Sequence, residues 1–157
     1  MDVLFVCTGN TCRSPMAAAL FNHLAGAGGP VAASAGIAAA EGMPADPTAV
    51  EAVREAYGID LRPHRTTPLR GDLIREAALV VAMTAEHRDW IVGRYPEAGS
   101  KIRVLTEFDP ADPNPRSGIP DPFGGSLECY RKTLSKMEPP IRAILASIRS
   151  TGRPQGV

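Results

Sequence analysis

The chain has 157 residues, of which 44% are hydrophobic, and its 17 basic residues balance 17 acidic ones. This length suits one well-cored domain and is short for two. The balanced charge gives no reason to expect a nucleic-acid or membrane partner, and no stretch reaches the roughly 18 apolar residues that span a bilayer. The 3 cysteines do not form a disulfide framework, so we expect a reducing cytoplasm.

Four short apolar runs rich in β-branched residues are predicted to be strands, and they lie at 3–6, 31–35, 79–83 and 102–105. Because these runs are apolar on both faces, they are typical of parallel strands that are covered on both sides.

Three helix starts are predicted from a side-chain oxygen that precedes a proline: Ser14-Pro15, Asp46-Pro47 and Thr67-Pro68. Thr84 predicts a further N-cap. The spacing of the apolar residues, and the glycines that follow some of these segments, predict helices at 16–25, 47–57, 84–94 and 126–148. One more helix is predicted to begin at Pro68. We expect a break in the last helix at Pro139-Pro140.

The order β-α-β-α-α-β-α-β-α predicts one three-layer α/β domain with a four-stranded parallel sheet and helices on both faces. The domain is expected to cover 1–150, and 151–157 to be a flexible tail. The long irregular stretch at 109–125, "DPADPNPRSGIPDPFGG", interrupts this order. A structureless loop of that length in a compact domain is usually functional.

The first predicted strand runs directly into "CTGNTCRS" at 7–14, which we call the phosphate loop. Ligands of open α/β sheets collect beyond the carboxyl ends of the strands. Gly9 relaxes the backbone and Asn10 tolerates a left-handed conformation, so the N–H groups of this loop, which also holds Thr8, Thr11 and Cys12, can point at an anion. The helix that begins at Ser14 adds its positive end, and the Arg13 guanidinium can bind two oxygens of a tetrahedral oxyanion.

Cys7 begins this loop and is predicted to be a thiolate at neutral pH, because a helix N-terminus and a nearby cation favour the charged sulfur. This arrangement indicates attack of sulfur on phosphorus through a phosphocysteine intermediate. The alternative is a small buried hydrophobe at a strand end. Cys-x5-Arg alone is a weak pattern, but the strand before it and Ser-Pro after it favour the catalytic interpretation. A Walker-type loop is excluded because no Gly-Lys-Ser/Thr follows.

A proton must reach the leaving group, so the site needs a carboxylic acid. The stretch 109–125 offers Asp109, Asp112 and Asp121, and the first two suit ordinary turns. Asp121 is the best candidate because it lies in "DPFGGS", where Phe123 can wall the pocket. After the first step the same carboxylate can act as a base on the water that hydrolyses the phosphocysteine.

The motifs "VCTGNTCRSPMA" and "DPFGGS", with "SAG" at 34–36, His64 and "AMT" at 82–84, resemble the low-molecular-weight protein tyrosine phosphatase family over essentially the whole chain. The resemblance implies that family's fold, with Cys7 as nucleophile, Arg13 as phosphate clamp and Asp121 as general acid. It also implies that Ser14 donates to the thiolate, and that the loop is braced by Asn10, Ser34 and His64. For His64 the alternative is an ordinary surface position.

Within the family, Thr11 and Phe123 resemble the bacterial protein-arginine phosphatase branch, since tyrosine-specific members usually carry a larger aliphatic residue in place of Thr11. The resemblance implies phosphoarginine in proteins as the substrate, with phosphotyrosine as the alternative. The alternative is that Thr11 only occupies space in the loop and has no influence on the substrate. We expect phosphorylated proteins as partners, no cofactor, no metal and a monomer.

Three other functions fit the sequence less well. Arsenate reductases share the loop but need further redox cysteines near the third strand, and 79–94 contains none. A binding module without catalysis would lack the nucleophile or the acid. A metal site at Cys7 and Cys12 has no further ligands to complete a tetrahedral set. Cys12 either packs the loop or protects Cys7 from irreversible oxidation through a disulfide, and Cys129 is expected to be an ordinary core or surface residue.

Overall fold

A computed structural model of the chain describes residues 1–152. Its four strands form one parallel sheet in the order β2-β1-β3-β4, which confirms the predicted α/β class. The strands are β1 Val3–Cys7, β2 Ala32–Gly36, β3 Leu79–Ala82 and β4 Ile102–Val104. Each bound lies within one residue of the predicted one.

The helices follow the predicted order, and both faces of the sheet are covered. They are α1 Arg13–Ala25, α2 Pro47–Tyr57, α3 Gly71–Glu76, α4 Ala85–Arg94 and α5 Leu127–Thr151. Alternate residues of β1 enter opposite cores: Phe5 packs with α1, α2 and α5, whereas Leu4 packs with α3 and α4. Both side chains are fully buried, as expected for a central parallel strand.

The predicted break at Pro139-Pro140 is wrong, because α5 runs through both prolines without interruption. Each proline removes one backbone hydrogen bond of the helix. The buried side chains continue on one side of α5 before and after this point, as Met137, Ile141 and Ile144 show. Packing against α1 and α2 therefore holds the helix together.

The predicted helix start at Thr67-Pro68 is also wrong, since α3 begins only at Gly71. The segment instead runs alongside the end of β2. Gly36 N donates to the Thr67 carbonyl at 2.9 Å, and Leu69 N donates to the Gly36 carbonyl at 2.8 Å. These pairings commit the backbone to an extended path before the helix can begin.

Of the other three predicted N-caps, two are confirmed and one is not. The Asp46 side chain accepts from Thr48 N, and Thr84 accepts from His87 N. In contrast, α1 already begins at Arg13, so Ser14 lies inside its first turn and its hydroxyl bonds elsewhere.

The long stretch at 109–125, which we call the acid loop, is irregular as expected. Asp109 and Asp112 each accept a hydrogen bond from the backbone N–H two residues later, which confirms that they are turn residues. At the C-terminus α5 includes Thr151, the first residue of the predicted tail, and the part of that tail at 153–157 lies outside the described residues. No helix within residues 1–152 is long and apolar enough to cross a membrane.

Candidate active site

The carboxyl end of the central strand β1 opens into a small cavity. Cys7 ends the strand and is only 3% exposed. The cavity, of about 210 Å³, is lined by Cys7, Thr8, Gly9, Thr11, Cys12, Arg13, Asp121 and Phe123. Residues from two predicted motifs more than a hundred positions apart therefore meet at one site.

The phosphate loop bends at Asn10, which is fully buried and has the positive φ of 58° that the sequence suggested it could adopt. Its Oδ1 accepts from Thr67 N at 2.9 Å, which fixes the orientation of the side-chain amide. Its Nδ2 then donates to Ser14 Oγ at 2.8 Å and to Ser34 Oγ at 2.9 Å. A single side chain thus ties the loop to α1, to β2 and to the extended segment before α3.

Ser14 connects this network to the cysteine. Because Ser14 Oγ accepts from Asn10, its own proton is free to be donated, and Cys7 Sγ lies 2.9 Å away. The competing acceptor, the Ala35 carbonyl, lies farther at 3.4 Å. The geometry therefore places a hydroxyl donor on the sulfur, and such a donor stabilises a thiolate.

His64 lies beside the loop and not at a free surface position. Its Nε2 is 2.8 Å from the Asn10 carbonyl, so the ring donates to it. Burial lowers the pKa of His64 from its usual value, which keeps the ring neutral with one N–H to give. The predicted bracing residues Asn10, Ser34 and His64 thus form one connected group.

The end of β2 approaches the loop so closely that only glycine fits at position 36. A Cβ on Gly36 would lie 2.5 Å from the Thr8 carbonyl and 2.9 Å from Asn10 N. The next two residues bond the same backbone: Ile37 N donates to the Cys7 carbonyl and Ala38 N to the Thr8 carbonyl, both at 2.9 Å. These contacts fix the path of the loop behind the cysteine.

Arg13 joins the two sides of the cavity. Its buried guanidinium donates from Nη1 to the Ile119 carbonyl at 3.0 Å, and its Nη2 lies 3.6 Å from Asp121 Oδ2. Asp121 is more than half exposed, and its Oδ1 accepts from Phe123 N at 3.1 Å. The carboxyl group therefore reaches the cavity while it remains open to solvent.

Thr11 and Phe123 stand at the mouth of the cavity. Both also line a second depression of about 320 Å³, which continues from the first and reaches Met43. Phe123 and Met43 are largely exposed hydrophobic side chains, at 71% and 52%. A substrate side chain that leaves the first cavity on this side meets an apolar surface.

Cys12 faces away from solvent. Its Sγ lies 3.4 Å from the Tyr130 hydroxyl on α5, and burial raises the pKa of the thiol. Cys129, also on α5, is exposed. The structure therefore places Cys12 with the site and Cys129 outside the cavity of the phosphate loop.

One residue at the site was missed by the sequence analysis. His87 Nε2 lies 2.8 Å from Thr8 Oγ1, although 79 positions separate the two residues. The signal was present: Thr84 caps a helix after β3, the neighbour of β1, so the first turn of α4 reaches the same edge of the sheet. A polar residue in that turn can contact the phosphate loop.

Comparison with known proteins matches this chain to the low molecular weight phosphotyrosine protein phosphatases over residues 2–153. The chain belongs to this family. The predicted class of enzyme, a phosphatase, is thereby confirmed.

Two relatives are named protein-arginine-phosphatase. The one from Bacillus subtilis is 38% identical over 98% of this chain and 100% of its own length. The one from Geobacillus stearothermophilus is 45% identical over 87% of this chain and 88% of its own length. A solved structure of the arginine phosphatase YwlE, a variant whose active-site serine is phosphorylated, superimposes with a TM-score of 0.88 at 37% identity, covering 99% of this chain and 100% of that one.

Proposed function

We propose that this enzyme removes phosphate from phosphoarginine residues of proteins, with Cys7 as nucleophile, Arg13 as phosphate clamp and Asp121 as general acid. The observation that carries the proposal is the meeting of these three residues in one cavity of about 210 Å³. The substrate class is supported by the names of the two relatives and by Thr11 at the cavity mouth.

In the first step the Cys7 thiolate attacks phosphorus and the bond between phosphorus and the guanidine nitrogen breaks. Asp121 gives its proton to that nitrogen, so the guanidine leaves in its protonated form. Arg13 and the backbone N–H groups of the phosphate loop bind the equatorial oxygens as charge redistributes. Ser14 stabilises the thiolate before attack and after release.

In the second step water attacks the phosphocysteine. Asp121, now a carboxylate, takes a proton from the water, and the sulfur–phosphorus bond breaks to give inorganic phosphate and the Cys7 thiolate. The enzyme returns to its starting state without a cofactor. Phosphorylated proteins would approach the cavity along the apolar surface at Phe123 and Met43.

The second candidate substrate is phosphotyrosine, which the description of the family names. The same three residues would act on it, with the phenol oxygen as leaving group. We expect Thr11 to determine whether the enzyme prefers phosphoarginine or phosphotyrosine. Its β-branched hydroxyl side chain lines both the cavity of Cys7 and the adjoining depression at Met43. We expect the leaving group to pass this side chain, which is smaller and more polar than an aliphatic residue such as isoleucine.

Turnover of matched phosphoarginine and phosphotyrosine peptides by the wild type and by Thr11→Ile tests this choice. We expect the wild type to prefer phosphoarginine, and the variant to shift the ratio of kcat/KM toward phosphotyrosine by at least about tenfold, since a small change in pocket shape is worth that much. Thr48→Ile, which adds the same bulk on α2 outside the cavity, should leave the ratio unchanged. A wild type that does not prefer phosphoarginine would favour the tyrosine substrate, and a preference for phosphoarginine that is unchanged in Thr11→Ile would show that Thr11 does not set the choice.

We also propose that Cys12 protects the nucleophile by forming a disulfide with Cys7 under oxidation, which thiols then reverse. Both thiols line the same cavity, and Cys12 is held by contacts to Thr11 and Tyr130. After a peroxide pulse, activity should return with dithiothreitol in the wild type and should not return fully in Cys12→Ser. Full recovery of the variant would show that Cys12 only packs the loop.

A further inference from the structure

His87 is a buried polar residue that the proposed mechanism does not use. It lies in the first turn of α4 and is 6% exposed. Its Nε2 contacts the Thr8 hydroxyl at 2.8 Å, while its Nδ1 is buried and has no hydrogen-bond partner among the described residues. A buried polar atom without a partner is costly, so the orientation of this ring calls for a physical reason.

The ring is neutral at pH 7. Burial, together with the positive charge of Arg13, lowers the pKa of His87 to about 4, although Glu86 and Asp121 act in the opposite direction. A neutral imidazole carries one N–H, which lies either on Nε2 or on Nδ1. The two tautomers give the Thr8 hydroxyl opposite roles in the hydrogen bond: it accepts from Nε2–H in one and donates to Nε2 in the other.

If Nδ1 carried the proton, a buried N–H would have no acceptor, and the Thr8 hydroxyl would donate its own proton to Nε2. If Nε2 carries the proton, the ring donates to Thr8 and only a lone pair stays unpaired. Buried N–H groups without an acceptor are the rarer of the two defects. The contact is therefore best described as Nε2–H donating to Thr8 Oγ1.

With the proton on Nε2, the Thr8 hydroxyl does not donate to His87, so its own proton is available for another acceptor. A hydroxyl has one proton and can accept further bonds, so a threonine that accepts from His87 directs its own O–H elsewhere. The side chain of Thr8 is exposed and lines both the cavity of Cys7 and a neighbouring groove of about 530 Å³. The group that the cavity is built to hold is an oxyanion next to Arg13.

We propose that His87 is a positioning residue, which holds the Thr8 hydroxyl as a donor to a phosphoryl oxygen of the substrate. The proposal rests on the proposed phosphatase function and adds one side-chain donor to the backbone groups of the phosphate loop. A hydroxyl bond to an oxyanion is charge-assisted and stronger than a neutral one. His87 itself does not touch the substrate.

Two replacements of His87 separate this role from simple packing. The amide nitrogen of glutamine can occupy the place of Nε2, whereas the shorter asparagine side chain reaches only the place of Nδ1. His87→Gln should therefore keep the donor to Thr8, and His87→Asn should lose it. Thr8→Val removes the hydroxyl itself, and Thr8→Ser retains it.

The measurements are kcat/KM for para-nitrophenyl phosphate and the inhibition constant of inorganic phosphate. In His87→Asn and in Thr8→Val we expect kcat/KM to fall, and the inhibition constant to rise, by about tenfold, the effect of one hydrogen bond to a charged group. His87→Gln and Thr8→Ser should stay within about threefold of the wild type. The double variant His87→Asn/Thr8→Val should be no worse than Thr8→Val alone, because His87 acts only through that hydroxyl.

Equal losses in His87→Gln and His87→Asn, or losses that multiply in the double variant, would overturn the proposal. If His87→Asn does not fold, as judged by circular dichroism, the Thr8→Val variant decides by itself. A Thr8→Val variant that binds phosphate as tightly as the wild type would overturn the proposal. A wild-type enzyme that hydrolyses no phosphorylated compound would refute the proposed function instead. An active wild type with unaffected variants would refute only the role of His87.

Discussion

The two loops that form the cavity are held in very different ways. The phosphate loop, 7–14, is mostly buried, and its turn at Asn10 is tied by side-chain bonds to α1, β2 and the segment before α3. The acid loop, 109–125, is mostly exposed, and its polar side chains bond mainly to their own neighbours, as Asp112 does to Asn114 and Ser117.

The difference matches the chemistry that each loop is proposed to perform. The nucleophile and the donors around an oxyanion must be fixed before the substrate arrives, because reorganising them costs part of the rate. The acid must follow a leaving group that differs between substrates. The loop that carries Asp121 is anchored at Ile119, through its contacts to Arg13 and Met83. It is also anchored by Thr106, whose hydroxyl donates to the Pro115 carbonyl and accepts from Gly118 N. Most of its other residues are exposed.

Replacing the nucleophile tests the phosphate loop at its most sensitive point. Cys7→Ser should lower kcat by about 10⁴-fold or more, as loss of a nucleophile does in other enzymes. The exposed Cys129→Ser is the matched control and should retain full activity. Phosphate release from para-nitrophenyl phosphate measures both. A Cys7→Ser variant with substantial turnover would remove the phosphocysteine from the mechanism.

The acid loop is tested by Asp121→Asn, which keeps the shape of the side chain and removes its proton chemistry. We expect kcat on a phosphoarginine peptide to fall by about 10²- to 10³-fold, the usual size of general acid–base catalysis. Asp112→Asn, in the same loop but in a turn, should change kcat little. If Asp121→Asn retains as much activity as Asp112→Asn, Asp121 is not the general acid.

The contrast in anchoring is tested by two asparagines, one in each loop. Asn10→Ala loses three side-chain hydrogen bonds and leaves alanine at positive φ, so the free energy of unfolding should fall by about 2–4 kcal/mol. Asn114→Ala in the acid loop loses one exposed bond and should cost less than about 1 kcal/mol. Urea unfolding at pH 7 measures both values. Similar values would mean that the two loops are equally constrained.

The sequence predicted the elements whose signals are local. The apolar runs identified all four strands, and Asp46 and Thr84 marked helix starts that the structure contains. The Cys-x5-Arg spacing and "DPFGGS" selected residues that the fold brings into one cavity. Each of these patterns depends on residues close together in the chain.

The features that could not be predicted depend on contacts between distant segments. Thr67-Pro68 carries the local signal of a helix start, but the Thr67 amide bonds Asn10 and its carbonyl bonds Gly36. Ser14 carries the signal of an N-cap, but its hydroxyl bonds Cys7. In α5 the prolines should break the helix, but the packing of its buried side outweighs the two lost bonds. Tertiary contacts decided all three.

The seclusion of Cys7 has a practical consequence for chemical labelling. Cys7 is buried and lines a cavity of about 210 Å³ beside Arg13, whereas Cys129 is exposed, and a hydrogen bond from Ser126 lowers the pKa of its thiol. A bulky maleimide will therefore react with Cys129 first. The number of labels bound per protein molecule will then report that thiol and not the number of intact active sites. Small anionic electrophiles are the reagents with which active molecules of this enzyme should be counted.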